Sequence, residues 1–185
     1  QYKNIKVYGI DINSNNISNL LQKKNFDFFK GNVNSNIKWI ENKVKKCDLI
    51  IPLVAIATPK IYVTNPLKVF QLDFESNLEV IKLVAKYNKK IIFPSTSEVY
   101  GMSSDKKFNE YKTNFILGPI NKSRWIYSAS KQLLDRVIHA YAENKQLTYI
   151  IFRPFNWIGP KLDSLESAQL GNGRVMIIFI EKLLN

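Results

Sequence analysis

Tyr127 and Lys131 stand four residues apart in the segment YSASK. On a helix that spacing puts both side chains on one face, so the lysine ammonium can lie near the phenol or near a ligand bound beside it. A tyrosine ionises at about 10, and lowering that by roughly three units takes about 4 kcal/mol of differential stabilisation. A neighbouring lysine and the positive ring of an oxidised nicotinamide could together supply it. A phenol activated in this way removes a proton from an alcohol. Alone, the pair reads more simply as a solvated Tyr–Lys pair on a helix surface.

The segment PSTSEVYG, residues 94–101, makes the chemical reading stronger. Ser95, Thr96, Ser97 and Glu98 follow directly on an apolar strand, which puts them at the carboxyl edge of a sheet. A hydroxyl there can hold a substrate alcohol while Tyr127 takes its proton, and Glu98 can act as an acid or base or bind a sugar. Asp11 ends the strand-like KVYGID. A carboxylate in that place can accept both hydroxyls of a ribose and repel a 2′-phosphate, which favours NAD over NADP. Asn156, in RPFNWIGP, could reach a pyrophosphate or a sugar. Arg174, after a GNG turn, could pair with a phosphate through its fork of donors. Asp11, Asn156 and Arg174 each serve equally well as structural residues when taken singly. His139 has no second histidine to pair with and reads as structural, and Cys47 reads as a core residue. No Cys/His spacing fits a metal, and the seven glycines form neither GxGxxG nor a P-loop.

These residues need elements to position them. Strand-like segments are expected at Asn4–Ile12, Phe26–Val33, Cys47–Ala57, Lys89–Gly101, which ends in a polar turn, and Leu147–Pro160, which leads into a loop. The third is almost wholly apolar, as a parallel strand buried on both faces would be. Helical spacing marks Asn16–Lys24, Asn36–Lys46, Asn65–Tyr87, Ile126–Glu143 and Gly171–Leu184. Thr58–Pro66 and Met102–Ser123 read as loops. Strands alternating with helices imply an α/β fold with a parallel sheet covered on both faces, and ligands of such sheets bind at the carboxyl ends of the strands.

The composition sets the outer bounds. The chain has 185 residues, 45% of them apolar, enough for one domain with a sizeable core. No apolar run is long enough to cross a bilayer and no signal peptide opens the sequence, so no membrane insertion is expected. A single cysteine cannot make an internal disulfide, and together these features favour a cytoplasmic setting. The net charge of +12 comes from lysines scattered among Asn and Ile, without the clusters and exposed aromatics of a nucleic-acid surface. The charge would still favour a phosphate-bearing ligand. The chain does not begin with methionine and opens at once on a strand, so it reads as incomplete.

The strand end STSEVYG, the Tyr-x-x-x-Lys element YSASK and RPFNWIGP resemble the extended short-chain dehydrogenase/reductases that act on nucleotide sugars. More narrowly, KKCDLIIPLVAIATP, IIFPSTSEVYGM, GPINKSRWIYSASKQLLDRVIHAY and FRPFNWIGPKLD are similar to the dehydrogenase/decarboxylase half of bifunctional polymyxin-resistance proteins. That half uses NAD to oxidise and decarboxylate UDP-glucuronic acid on the route to 4-amino-4-deoxy-L-arabinose for lipid A. The resemblance implies a Rossmann-like doubly wound parallel sheet. Residues 1–185 would be part of the NAD-binding domain, running into the substrate-binding part from about residue 155. Tyr127, Lys131, Thr96, Ser97 and Glu98 take the catalytic places. Asp11, Asn32 and Val33, with Tyr127 and Lys131, take cofactor-binding places. Ala57, Tyr62, Thr96, Arg124, Asn156 and Arg174 take places lining the UDP-sugar pocket. The family's contact between helices matching Asn65–Tyr87 and Ile126–Glu143 implies a homo-oligomer, and a fused formyltransferase domain in the parent chain is compatible with the resemblance.

Asn32 departs from the family, which carries an acidic residue at the place that contacts adenine. The family's first strand with its Gly-rich loop would precede Gln1, and later sugar-binding segments with a catalytic arginine would follow Asn185. In a 3-2-1-4-5-6 sheet the first strand is central, so the segment alone is expected to be unstable and inactive. A UDP-xylose synthase, a UDP-sugar 4-epimerase and a non-catalytic remnant that binds NAD or a UDP-sugar remain as alternatives.

Overall fold

The computed structural model describes residues 5–56, 58–157, 159, 162–171 and 173–184. The chain divides into two compact units, Gln1–Asp48 and Leu49–Asn185.

In the first unit, strands β1 (Val7–Asp11) and β2 (Phe26–Lys30) pair in parallel, from Val7 opposite Phe26 to Asp11 opposite Lys30. Between them lies a short 3₁₀ turn, Asn15–Leu20, where sequence periodicity implied a longer helix. It buries no residue, which leaves a full α-helix with no apolar contact to stabilise it. Helix α1 (Ile37–Lys46) turns Ile40 and Val44 inward, as the apolar spacing requires. Trp39 of this helix stacks on Phe29, and the Lys43 ammonium lies 4.2 Å from the centre of the Tyr8 ring. Cys47, expected in the core, is only half-buried.

The second unit holds a parallel sheet in the order β3-β4-β5: β3 (Leu49–Ile50), β4 (Lys90–Pro94) and β5 (Thr148–Phe152). In the central strand, Ile91 and Phe93 are fully buried, each contributing about 1.5–3 kcal/mol. Helix α5 (Trp125–Glu143) packs on β5 and inserts Leu134 and Ile138 into the core. Two more helices follow, α6 (Leu165–Gln169) and α7 (Val175–Leu184).

Three segments differ from the sequence expectation, each for a local reason. The apolar run from Cys47 forms a strand only at Leu49–Ile50, and Leu49, Ile51 and Leu53 are exposed. Pro52 has no N–H to continue the ladder. Beyond it, side chains satisfy the backbone, since the Val54 carbonyl accepts from the Asn77 amide and the Ile56 N–H donates to Asp73. The expected loop at 58–66 contains a short helix, α2 (Pro59–Thr64), with proline at its start, where the missing N–H costs nothing. The long helix expected over 65–87 is continuous from Pro66 to Lys86 but not uniform: α3 (Pro66–Val69) leads into a π-helical segment, Phe70–Ser76, and then α4 (Asn77–Lys86). The widened turn frees carbonyls, and nearby side chains take them. The Ser76 hydroxyl donates to Gln71 O, and the Asn77 amide donates to Leu72 O and Asp73 O.

Candidate active site

The chain leaves β4 at Pro94 and turns at once. Thr96 is extended, and its hydroxyl oxygen accepts the Glu98 N–H at 3.2 Å, which starts a 3₁₀ turn over Ser97–Tyr100. The turn ends at Gly101, whose φ of 59° is open to glycine. A side chain there would also strike the Ile116 carbonyl. Ser97 is fixed through its backbone, donating to Pro154 O at 3.0 Å.

The N-terminal half of α5 meets this turn. Tyr127 is buried and hydrogen-bonded to Thr96. The Thr96 oxygen already accepts from Glu98 N–H, so its own proton remains for the phenol. The Tyr62 ring, from α2, lies flat against Tyr127, with centroids 4.6 Å apart and planes at 9°. Glu98 accepts from the Ser128 hydroxyl at 3.3 Å and from the exposed Arg124 at 3.4 Å. Five candidates from three elements therefore converge: Thr96 and Glu98 from the turn, Arg124 and Tyr127 from the start of α5, and Tyr62 from α2.

Electrostatics in this cluster hold the phenol protonated. Burial, followed by the charges of Asp73 and Glu98, pushes Tyr127 up to about 12, against the hydrogen bonds from Thr96 and Tyr62. Burial likewise raises Tyr62 far above its ordinary value. The expected lowering rests on a lysine and a nicotinamide ring together; in the chain by itself burial and the two carboxylates set the direction. Lys131 is almost completely buried, donates to Pro94 O at 3.2 Å and lies 4.0 Å from Asp73. Its charge is engaged by the Pro94 carbonyl and Asp73. Burial lowers Lys131, while Asp73 and Asp135 act to raise it.

A second buried carboxylate ties the helix to the sheet. Asp135 Oδ2 accepts from the Ser95 hydroxyl at 2.9 Å and from two Arg153 nitrogens at 3.3 and 3.2 Å. Ser95 is thereby committed to structure, and its neighbour Thr96 is the hydroxyl turned to the phenol. The Arg153 guanidinium also lies over the Tyr100 and Phe115 rings. Sequence reasoning missed Asp73, Ser128, Asp135 and Arg153. The available signal was two acids on otherwise apolar helix faces, Asp135 falling one turn after Lys131.

The remaining candidates stand elsewhere. Asn156 and Arg174 line one cavity of about 140 Å³ with Trp157, Asp163 and Met176, and Arg174 is paired with Asp163 at 3.2 Å. In the first unit, Asp11 sits at the carboxyl end of β1 with its carboxylate exposed, accepting the Asn13 N–H through Oδ1. An exposed carboxylate at that strand end fits a ribose diol. Asn32, also exposed, closes a tight turn by accepting the Asn34 N–H, and Val33 beside it is buried. Ala57 lies outside the described residues. Among the described residues no cluster of His, Cys, Asp and Glu could hold a metal ion, and no helix is long and apolar enough to cross a membrane.

Residues 1–185 match the model of the NAD dependent epimerase/dehydratase family. The structure is similar to that of the PbgP3 protein from Burkholderia pseudomallei, with a TM-score of 0.82 and 52% identity, covering 86% of this chain and 52% of that one. It is also similar to a UDP-glucose 4-epimerase from Thermotoga maritima solved with UDP-glucose (TM-score 0.74, 24% identity, 97% of this chain and 55% of that one). A dTDP-glucose 4,6-dehydratase from Bacillus anthracis str. Ames solved with NAD is a third (TM-score 0.71, 24% identity, 92% and 55%). At 24% identity the latter two speak for the fold alone. The chain spans about half the length of each of these proteins.

Proposed function

The chain belongs to the NAD dependent epimerase/dehydratase family, and we propose that the protein carrying it oxidises and decarboxylates UDP-glucuronic acid with NAD, giving a UDP-4-keto-pentose, carbon dioxide and NADH. The observation that carries this reading is the meeting of Thr96, Glu98 and Tyr127 at the carboxyl end of β4. It supplies an alcohol-binding hydroxyl, a carboxylate and a proton acceptor within one cluster. The sequence likeness of this segment and of RPFNWIGP to UDP-glucuronate decarboxylating enzymes narrows the substrate. Arg124, an exposed cation beside Glu98, suits an anionic sugar.

Asp11 would hold the adenosine ribose of the cofactor, with Asn32 and Val33 near the adenine, and Tyr127 and Lys131 would face the nicotinamide end. When bound, NAD accepts the hydride. Tyr127, positioned by Thr96 and Tyr62, takes the proton of the sugar 4″-hydroxyl as the carbon is oxidised, with Ser97 beside it on the turn. The new ketone lies β to the carboxylate, so the electrons of the breaking C–C bond pass into the carbonyl and carbon dioxide leaves. Tyr127, now protonated, can stabilise the resulting enolate by donating to its oxygen. Glu98, hydrogen-bonded to Ser128 and Arg124, assists proton movement or positions the sugar. Asn156 and Arg174 would meet the nucleotide part of the substrate, which requires Arg174 to exchange Asp163 for phosphate. From about residue 155 the chain would thus contribute to substrate binding, and the helices bearing Asp73 and Tyr127 would also serve a homo-oligomer contact. The product chemistry suits lipid A modification in the cytoplasm, with a formyltransferase fused in the parent chain.

The test is to supply the intact protein with UDP-glucuronic acid and NAD and to follow NADH absorbance together with carbon dioxide release. Equal appearance of both, abolished by Tyr127→Phe, is the expected result. Carbon dioxide without net NADH would identify a UDP-xylose synthase. Neither product, from folded protein that still binds a UDP-sugar, would identify an epimerase or an inactive remnant.

A further inference from the structure

The π-helical segment carries the group that the reaction scheme above leaves unused. Asp73 is fully buried. Its Oδ2 is held by the Ile56 N–H at 2.9 Å, while Oδ1 has no hydrogen-bond partner among the described residues and lies 4.0 Å from the Lys131 ammonium. A buried carboxylate oxygen without a donor is costly, and π-helical turns are costly as well and concentrate at functional sites. Here the two coincide at one residue, and that residue faces the lysine of the Tyr-x-x-x-Lys element.

The other groups around Lys131 do not replace it. On the same helix, Asp135 also acts on Lys131 and its Oδ1 likewise has no hydrogen-bond partner among the described residues, but its charge is matched by Arg153 at 3.2 Å and its Oδ2 is filled by Ser95 and Arg153. From β4 come only the Pro94 carbonyl and the Phe93 ring, 4.9 Å from the ammonium. Tyr127, one turn earlier, is protonated and neutral at working pH. Asp73 is therefore the uncommitted counter-charge of a buried ammonium. Its fixing by Ile56 also links that charge to the segment after β3.

We infer that Asp73 is a positioning residue for the reaction, acting through Lys131: it keeps the buried ammonium charged and stationed at the carboxyl end of β4. This inference rests on the proposed function for its catalytic consequence, but the Asp73–Lys131 coupling can be measured without it. The π turn then has a purpose, because it turns a carboxylate into the core at the one place where the lysine needs it.

A double-mutant cycle in the intact protein tests this, using Asp73→Asn, Lys131→Met and the double variant. With UDP-glucuronic acid and NAD, Asp73→Asn is expected to lower kcat at least ten-fold with KM little changed. In the Lys131→Met background the same substitution is expected to cost nothing further. An equal loss in both backgrounds would show that Asp73 acts independently of Lys131 and would overturn the inference. Melting temperatures give a second reading that needs no activity. Lys131→Met strands the Asp73 charge, so Asp73→Asn should raise the melting temperature more in that variant than in wild type, and an equal change in both backgrounds would overturn the inference. Should Tyr127→Phe remain fully active, the proposed function fails, and the thermal cycle still decides whether Asp73 and Lys131 act as a pair.

Discussion

In ligand-free protein Tyr127 should not titrate as an ordinary tyrosine. Burial and the charges of Asp73 and Glu98 set it at about 12, roughly two units above a free phenol, or about 3 kcal/mol against the phenolate. At about pH 10 such a group is only about one part in a hundred ionised, where an ordinary tyrosine is half ionised. The assay is the ultraviolet tyrosinate difference between wild type and Tyr127→Phe, followed up the pH scale. Expected is no amplitude from Tyr127 by about pH 10, and a full tyrosine's amplitude at or below that pH would refute the balance of charges read from the structure. The same arithmetic says what catalysis requires. Bringing the phenol down to near 7 takes about five units, close to 7 kcal/mol. One unit charge at about 4 Å, at an effective dielectric near 20, supplies about 4 kcal/mol. A cationic cofactor ring alone therefore falls short of that, bringing the phenol down by about three units. Adding NAD should accordingly move the Tyr127 transition from about 12 to about 9, and a transition that does not move would refute the reasoning.

Other measurements follow from the same contacts. Arg153→Met leaves Asp135 buried without its counter-ion and should cost about 3–5 kcal/mol in chemical denaturation, much of it regained on adding Asp135→Asn; a cost below about 1 kcal/mol would mean that the pair bears little on stability. Asp73 gives a pH dependence whose sign is fixed by its raised value of about 6. A carboxyl raised on folding contributes stability that is whole below its unfolded value and is lost as pH rises through the folded one, here from about pH 4 to about pH 6, amounting to about 3 kcal/mol. Asp73→Asn should remove that share of the slope. Gly101→Ala should destabilise by more than the usual 1 kcal/mol of a left-handed alanine, because its methyl would also meet the Ile116 carbonyl, and thermal melting reads this directly.

The elements that bear the candidate site were legible because each announces itself over a short span. The hydroxyl run ends an apolar strand, and Tyr127 with Lys131 falls on a helix whose apolar period is regular. What the sequence left open depends on contacts between distant segments. The run after Ile50 looked like a buried strand because its residues are apolar, yet Pro52 and the side chains of Asp73 and Asn77 give its backbone a different set of partners. Nor does the Tyr-x-x-x-Lys spacing say which way the lysine turns: i and i+4 share a face, but Lys131 spends its charge on Pro94 O and Asp73.

The π turn is the clearest case of local signals that point one way and packing that points another. Over 65–87 a 3.6-residue period describes the apolar residues well enough to imply one α-helix, and a residue inserted into that period rotates everything beyond it by roughly 100°. Such an insertion costs backbone hydrogen bonds, so it persists only where other groups take up the freed carbonyls. Ser76 and Asn77 do so here, and both are buried polar residues that would be liabilities on the inner face of a regular helix. Ser76, Asn77 and Asp73 thus form one device, in which two side chains repair the backbone and the third faces the lysine. It follows that Ser76→Ala should weaken the repair and loosen the station of Asp73 without touching any charge. The expected outcome is a modest loss of stability, about 1 kcal/mol, with the Asp73 share of the pH slope reduced. A Ser76→Ala protein that loses stability but keeps that slope entire would separate the turn from the carboxylate it carries.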